Sequence, residues 1–159
     1  MVNIDYEKEI DSALKEVKDL NPKHGPRETK MVRALVEVFL AMFVYEDRET
    51  TKKFIAPNYV QHNPVLGEGP ESPFEYARNK RQQAKEKTRF DGPPTLKFKR
   101  FLVDGDLLTV VLHWINYPGD LGLNIVDIFK WNGEQFTEHW DCNQDVLDSK
   151  FHRNPNGIF

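Results

Sequence analysis

The second half of the chain alternates between β-rich stretches and short turn sequences, and this pattern limits the possible folds more than any other feature. The turns are Asp104-Gly105-Asp106, Pro118-Gly119-Asp120 and Asn132-Gly133, residue types that suit tight reversals of an extended chain. Stretches joined by such short turns pair as neighbouring antiparallel strands. The sequence therefore predicts a four-stranded antiparallel meander made of Thr95–Val103, Leu107–Tyr117, Asn124–Trp131 and Glu134–Cys142.

The first half of the chain is predicted to be mainly helical. Met31, Leu35, Phe39 and Met42 recur every three or four positions, which predicts a helix over Arg27–Tyr45 with one broad apolar face. The other elements expected here are an N-terminal helix along a stripe from Ile4 to Leu20 that ends before Asn21-Pro22, a helical turn over Thr50–Phe54, a strand over Asn58–Gln61, and a helix from Ser72 to Lys87 with Ser72 and Glu75 as its capping box. Helices followed by a meander indicate an α+β domain whose sheet curls around the helices.

Composition excludes several classes of protein. The 159 residues are 39% hydrophobic and 12% aromatic, which is enough to fill a core and too much for a disordered chain. The net charge of −3 gives no overall attraction to nucleic acid, and residues 78–100, with 9 basic and 2 acidic groups, fit an exposed helix face better than a phosphate-binding strip. There is no long apolar run and the N-terminus is charged, so we expect a cytoplasmic protein that binds neither nucleic acid nor a membrane. Cys142 is the only cysteine, which excludes an internal disulfide and a cysteine-based zinc site.

The Asn132-Gly133 turn also predicts which side chains share a face of the sheet. As a two-residue turn it sets Asp127 opposite Glu138, and a preceding turn centred on Asp120 sets His113 opposite Asp127. The predicted cluster therefore combines three polar side chains with aliphatic and aromatic ones, namely His113, Asp127 and Glu138 with Ile125, Phe129, Phe136 and Trp140. The residues alone leave two possibilities open: an apolar pocket with a few polar groups, or an outer face with ordinary surface charges.

Two further groups of polar side chains are candidates for a site. Gln61, His62 and Asn63 end the first predicted strand, where alternation points His62 away from its neighbours, and His62 fits a turn residue as well as a catalytic one. His139 and Asp141 have the chemistry of metal ligands, but the predicted register places His139 on the opposite face from Asp127, so no metal site is expected. Neither a phosphate-binding glycine loop nor a Gly-x-Ser-x-Gly elbow occurs, which excludes P-loop and serine-hydrolase chemistry.

Several of these stretches together resemble one known family. They are Tyr59-Val60-Gln61-His62-Asn63-Pro64, Asp104-Gly105-Asp106, Val126-Asp127-Ile128-Phe129-Lys130, and Asn132-Gly133 followed by Glu138-His139-Trp140-Asp141. The combination spans about Arg27 to Gln144 and resembles the SnoaL-like polyketide cyclases, in the nuclear-transport-factor-like superfamily that also contains ketosteroid isomerase. The resemblance implies helices packed in a curved antiparallel sheet that forms a cone-shaped barrel. This domain would cover residues 23–144, between a helical extension over 1–22 and a C-terminal tail over 145–159.

The resemblance also implies roles for individual residues. Asp127 matches the buried aspartate that acts as general acid/base in SnoaL-like cyclases. Asn63 stands where the isomerase has its base aspartate, which argues against steroid isomerisation by that mechanism but allows a hydrogen bond to a substrate oxygen. His62 and His113 are the further candidates for catalysis. The remaining predicted substrate contacts are Glu138, Trp140, Phe129 and Phe136.

The function expected from the residues and the resemblance is proton transfer next to a carbonyl group, as in intramolecular aldol condensation or isomerisation. The expected enzyme needs no cofactor, acts on a small hydrophobic carbonyl compound, and forms a homodimer as members of the superfamily commonly do. One alternative is a non-enzymatic ligand-binding or dimerisation module of the same fold. The other is an enzyme that resembles an epoxide hydrolase or a dehydratase.

Overall fold

Four α-helices and five β-strands make up the part of the chain that the computed structural model describes, residues 4–17 and 24–159. The elements are α1 (Tyr6–Lys15), α2 (Pro26–Phe39), α3 (Arg48–Phe54), β1 (Ile55–Gln61), α4 (Ser72–Thr88), β2 (Thr95–Asp104), β3 (Leu107–Ile115), β4 (Leu123–Trp131) and β5 (Phe136–Asp145). A π-helical segment, Leu40–Tyr45, continues α2, and a 3-10 turn covers Ser149–Phe151. The predicted end of the first helix, at Leu20 and Asn21-Pro22, lies outside the described residues. No helix in the described part is long and apolar enough to cross a bilayer.

The five strands form one curved sheet in the order β1-β5-β4-β3-β2. Strands β2 to β5 are the antiparallel meander that the turn sequences predict, and the α+β prediction is confirmed. The prediction of a wholly antiparallel sheet is wrong at one edge, because β1 pairs with β5 in parallel. The long connection through α4 and the meander supplies the crossover that parallel pairing needs. Since β1 and β2 do not pair with each other, the expected cone-shaped barrel is open along one side.

The helices pack on the inner face of this sheet. Alternate residues of β3 and β4 are buried there, and α2 covers them with Met31 and Leu35, both 0% exposed. Full burial of a side chain of this size contributes roughly 1.5–3 kcal/mol to folding. The strand residues in this layer include Leu108, Val110, Leu112 and Trp114 of β3 with Ile125, Phe129 and Trp131 of β4.

The helix predicted over Arg27–Tyr45 is present, but its hydrogen-bond pattern changes after Phe39. The last part is π-helical and ends at Glu46, which has a left-handed backbone with φ of 53°. A π-helical turn holds more residues than an α-helical one. Met42 and Phe43 both reach the space between this segment and the sheet.

The capping box predicted for α4 is wrong, although the helix itself is confirmed. The helix begins at Ser72, and the preceding Glu71 makes no side-chain cap hydrogen bond. The hydroxyl of Ser72 is buried without a partner among the described residues. Pro73 in the first turn has no backbone N–H, which removes one of the donors that a cap would satisfy.

The hairpin between β4 and β5 has a different register from the predicted one. Its loop has four residues, 132–135, because Asn132 Oδ1 accepts two backbone N–H groups of the loop at 3.0 and 2.8 Å. A bulge adds a further irregularity, and Asp127 lies opposite Asp141 instead of Glu138, a shift of three residues. A shift by an odd number turns the β5 side chains to the other face of the sheet.

The register of β3 against β4 is also shifted by three residues from the prediction. Asp127 lies opposite Val110, and His113 pairs with Asn124. His113 therefore lies on the outer face, where its Nε2 is 2.8 Å from the carbonyl oxygen of Leu121. The predicted cluster of His113, Asp127 and Glu138 does not form, because only Asp127 lies on the inner face.

Gly122, in the connection between β3 and β4, is the glycine where a side chain is expected to cost most. Its φ is +79°, and a Cβ there would lie 2.1 Å from the carbonyl oxygen of Trp114. Gly122→Ala is expected to lower the free energy of unfolding by roughly 2–4 kcal/mol. Gly119 has φ of +89° but nothing within 4 Å of such a Cβ. Gly119→Ala is the matched control, with an expected loss of about 1 kcal/mol. Urea denaturation measures both losses, and equal losses would contradict a steric cause at Gly122.

Candidate active site

A cavity lies between the helices and the inner face of the sheet. Its volume is about 60 Å³, and much of its wall is apolar. Apart from the tyrosines, the polar side chains in the wall belong to β1, β4 and β5 or to the residues that follow β1, and they meet because these three strands are neighbours. These polar lining residues are Gln61, Asn63, Asp127, His139, Asp141 and Asn143.

Asp127 of β4 and His139 of β5 form a buried pair in this wall. His139 Nε2 lies 3.1 Å from Asp127 Oδ1, and the residues are 6% and 4% exposed. Burial raises the pKa of Asp127 above its ordinary value, while the hydrogen bond and the charge of His139 oppose that rise and Asp141 adds to it. A carboxyl group whose pKa is raised exchanges its proton closer to neutral pH, which is what a general acid/base needs.

Gln61 determines the position of one proton on His139. Gln61 Oε1 accepts the backbone N–H of Asn63 at 2.9 Å, and a backbone N–H can only donate, so this atom is the amide oxygen. The same oxygen lies 2.9 Å from His139 Nδ1, which must therefore carry a hydrogen. Nε2 is then the ring nitrogen that faces the carboxyl group of Asp127.

Asp141 lies opposite Asp127 in the sheet and completes the polar wall. It accepts hydrogen bonds from the amide groups of Asn63 at 2.7 Å and Asn143 at 3.2 Å. With Asp127 and His139 it offers one nitrogen and two oxygens within 4.8 Å of one another, a donor set that suits a divalent cation. The sequence predicts no metal site because the predicted register places His139 and Asp127 on opposite faces of the sheet. The observed register places them on the same face, so that argument no longer applies. A cation here would have to replace any proton that lies between Asp127 and His139.

Two phenol groups line the same cavity, those of Tyr59 on β1 and Tyr76 on α4. Burial raises the pKa of both hydroxyls, and the nearby charges of Asp127 and Asp141 raise it further. Both phenols therefore stay protonated across the neutral range and can donate a hydrogen bond to a bound molecule.

Some of the predicted site residues do reach the cavity, namely Asp127, Asn63 and Phe129. The predicted alternation along β1 is also confirmed, since Gln61 and Asn63 are buried and His62 between them is exposed. Phe136 packs behind Phe129, with ring centroids 5.3 Å apart, and is not part of the cavity wall.

The other predicted site residues lie on the outer face of the sheet. The ring of His62 stacks on Trp140 at 4.5 Å, and Glu138 lies 2.8 Å from Lys130 and 3.4 Å from His62. The ring of His113 packs against Phe159. Strand alternation turns His62 outward. The observed strand registers turn His113, Glu138 and Trp140 outward as well. The predicted pocket positions are therefore wrong for His62, His113, Glu138 and Trp140.

The cavity residues absent from the predicted site include Tyr59, Tyr76, His139, Asp141 and Asn143. Alternation along β1 from Asn63 and Gln61 would have found Tyr59. Finding His139 and Asp141 on the inner face requires the four-residue loop, which depends on the side-chain hydrogen bonds of Asn132. We find no local sequence signal that would place Tyr76 in the cavity.

Comparison with known proteins identifies the fold. No protein-family model and no curated protein matches the chain. A Bacillus cereus ATCC 10987 protein designated a polyketide cyclase has a TM-score of 0.60 at 22% identity, over 78% of this chain and 81% of its own. An NTF2-like protein of unknown function from Burkholderia xenovorans LB400 has a TM-score of 0.56 at 17% identity, over 83% and 100%. An Agrobacterium tumefaciens C58 protein designated a SnoaL-like isomerase has a TM-score of 0.55 at 15% identity, over 73% and 98%.

Proposed function

Since the chain has the fold of the nuclear-transport-factor-2-like superfamily, we propose that it is a cofactor-independent enzyme that transfers a proton next to the carbonyl group of a small hydrophobic compound. The observation that carries this proposal is the buried Asp127–His139 pair. The pair lies at the wall of a mainly apolar cavity. Electrostatic interactions are stronger in such surroundings than in water, so the pair can favour charge that develops during a reaction.

In the proposed reaction, the carboxylate of Asp127 takes a proton from the carbon next to the substrate carbonyl. The electrons of the broken C–H bond form a carbon–carbon double bond, and the carbonyl π electrons move to the oxygen, which becomes an enolate. Return of the proton to a different carbon completes an isomerisation. Alternatively, the enolate carbon attacks a second carbonyl of the same molecule, and Asp127 then returns its proton to the new alkoxide, which completes an intramolecular aldol condensation.

The size and lining of the cavity limit the substrate. Its volume of about 60 Å³ is below the roughly 300–1,000 Å³ of typical ligand pockets. The compound must therefore be small, or side chains such as Met42 and Phe43 must move to admit it. The aromatic lining supports a small cyclic or aromatic ketone.

The two alternative reactions place different demands on the same cavity. An enzyme of the epoxide-hydrolase type would typically need an arginine beside its aspartate, and none lines the cavity in the described part of the chain. A dehydratase would begin with the same proton abstraction by Asp127 and then expel a hydroxide from the neighbouring carbon. Hydroxyketones therefore belong in the same set of test compounds.

Deuterium exchange tests the proposal. The protein is incubated in D₂O with small ketones such as cyclopentanone and cyclohexanone, and the NMR signal of the protons next to the carbonyl is followed. We expect protein-dependent loss of this signal at a rate that saturates with ketone concentration. Line broadening of the ketone without any exchange would instead favour the non-enzymatic ligand-binding module.

We further propose that the outer face of the sheet binds a second copy of the chain. Half-buried apolar side chains lie there on adjacent strands, including Val111 on β3 and Val126 and Ile128 on β4. Ile128→Lys is expected to convert the homodimer into monomers, because it places a charge in a contact that excludes water. Sedimentation velocity over a range of concentrations measures the change. A wild-type protein that stays monomeric throughout would contradict the proposal.

A further inference from the structure

Gln61 carries a hydrogen-bond donor that the described part of the fold does not use. The residue is 9% exposed and lines the cavity. Its Oε1 accepts hydrogen bonds from the Asn63 backbone and from His139 Nδ1. Its Nε2 is buried and has no hydrogen-bond partner among the described residues. Buried donors are nearly always paired, so an unpaired one on a residue that lines a cavity points to a molecule that binds there.

The side-chain amide of Gln61 cannot rotate to pair this donor differently. A flip would bring Nε2 towards the N–H of Asn63 and the Nδ1–H of His139, so that donors would face donors. The two hydrogen bonds to Oε1 therefore also hold Nε2 in place. A donor fixed before the ligand arrives is the kind that stabilises a developing negative charge most effectively.

Asn63, the amide that the family resemblance suggests as a substrate donor, is already engaged. Its Nδ2 donates to Asp141 at 2.7 Å, and its Oδ1 accepts the backbone N–H of Val65 at 2.9 Å. These bonds make Asn63 a support for Asp141 and for the loop after β1. Of the two amides, Gln61 is the one whose nitrogen has no partner among the described residues.

We propose that Gln61 Nε2 binds the carbonyl oxygen of the substrate and stabilises the enolate oxygen, which makes Gln61 a catalytic residue. This inference rests on the proposed function. The proton leaves the substrate carbon for Asp127, the electron pair ends on the carbonyl oxygen, and Gln61 keeps its own hydrogens while its hydrogen bond strengthens. The same side chain that receives the enolate oxygen also fixes the hydrogen on His139 Nδ1. Since an N–H donor repels a cation, Gln61 selects for a carbonyl oxygen or an oxyanion.

Gln61→Glu is the sharpest test, because it removes the donor and keeps the acceptor. One carboxylate oxygen can still accept from Asn63 and His139, while the other replaces the amide nitrogen at nearly the same size. The rate of deuterium exchange is expected to fall by about 10²-fold, the usual effect of losing one donor to an oxyanion. Gln144→Glu, on the exposed end of β5, adds the same charge away from the cavity and should leave the rate unchanged.

Gln61→Met is the second variant, because the new carboxylate of Gln61→Glu can also change the proton affinity of Asp127. The methionine has neither charge nor donor, and a similar loss of rate is expected. Circular dichroism checks that both variants are folded. A wild-type rate in both folded variants would overturn the role of Gln61.

A binding measurement separates this inference from the proposed function. Cyclopentanone labelled with ¹³C at the carbonyl is added to each protein, and a hydrogen bond from Gln61 is expected to move the carbonyl signal downfield. The shift should appear with the wild type and with Asp127→Asn, and disappear with both Gln61 variants. If the wild type exchanges protons and the Gln61 variants keep both the exchange rate and the shift of the carbonyl signal, the inference about Gln61 is overturned and the proposed function stands. A shift that depends on Gln61 without any exchange would support the hydrogen bond from Gln61 to the carbonyl oxygen, and would overturn both the proposed enzyme and the catalytic role of Gln61. No binding to the wild type would overturn both.

Discussion

Asp127→Asn is expected to lower the rate of deuterium exchange by about 10³-fold, within the roughly 10²–10⁴-fold that general acid–base groups contribute. The new amide cannot take a proton from the substrate. It has nearly the same shape as the carboxyl group, and its NH₂ can donate to His139 Nε2, so the geometry of the pair is expected to persist. Exchange of cyclopentanone protons followed by NMR measures the rate, and circular dichroism checks the fold.

Asp145→Asn is the matched control for this experiment. It makes the same chemical change at the exposed end of β5, away from the cavity. We expect the control to exchange protons at the wild-type rate. If Asp127→Asn did so as well, Asp127 could not be the acid/base, and the proposal would have to be abandoned.

The second large effect is expected in the dependence of stability on pH. The pKa of Asp127 is raised in the folded protein, so the folded state binds a proton that the unfolded chain releases above about pH 4. The stabilising contribution is complete below the unfolded pKa and is lost as the pH rises through the folded pKa. Between these two values the free energy of unfolding falls by up to about 1.4 kcal/mol per pH unit.

Asp127→Asn removes this contribution and should flatten the decline of stability with pH. Urea denaturation at several values between about pH 5 and about pH 8 compares the wild type, Asp127→Asn and Asp145→Asn. Of the groups around Asp127, the phenols of Tyr59 and Tyr76 stay protonated in this range. Parallel curves for the wild type and Asp127→Asn would show that Asp127 is not the group responsible.

Local patterns in the sequence predict the elements well, because their causes lie within a few residues. The spacing of Met31, Leu35 and Phe39 identifies α2, and the turn residues identify the meander. The strand registers are less predictable, because side chains decide the turn lengths. Asn132 Oδ1 holds a four-residue loop, and the carboxylate of Asp120 accepts from both the backbone and the side chain of Asn116.

The difference between local patterns and strand registers also explains which site residues could be predicted. The family resemblance identifies Asp127, and the resemblance with strand alternation identifies Asn63, without the register of the hairpin. The predicted hairpin register also selects Asp127, but it groups Asp127 with Glu138, which lies on the other face. His139 has the right chemistry, but an error of three residues in the register placed it on the wrong face. The role proposed for Gln61 rests on hydrogen bonds between β1 and β5, which no local pattern contains.

The parallel pairing of β1 with β5 has a consequence for the order of folding. Gln61 and His139 are 78 residues apart in the chain, whereas the meander strands join through short loops. The entropic cost of closing a loop grows with its length, so we expect β1 to dock after the meander has formed. Before that step the chain already holds Asp127 beside His139, but the histidine lacks the acceptor that fixes its Nδ1 hydrogen. The proposed proton transfer would therefore appear only when the last strand is in place, and the rate of deuterium exchange would report the completion of folding.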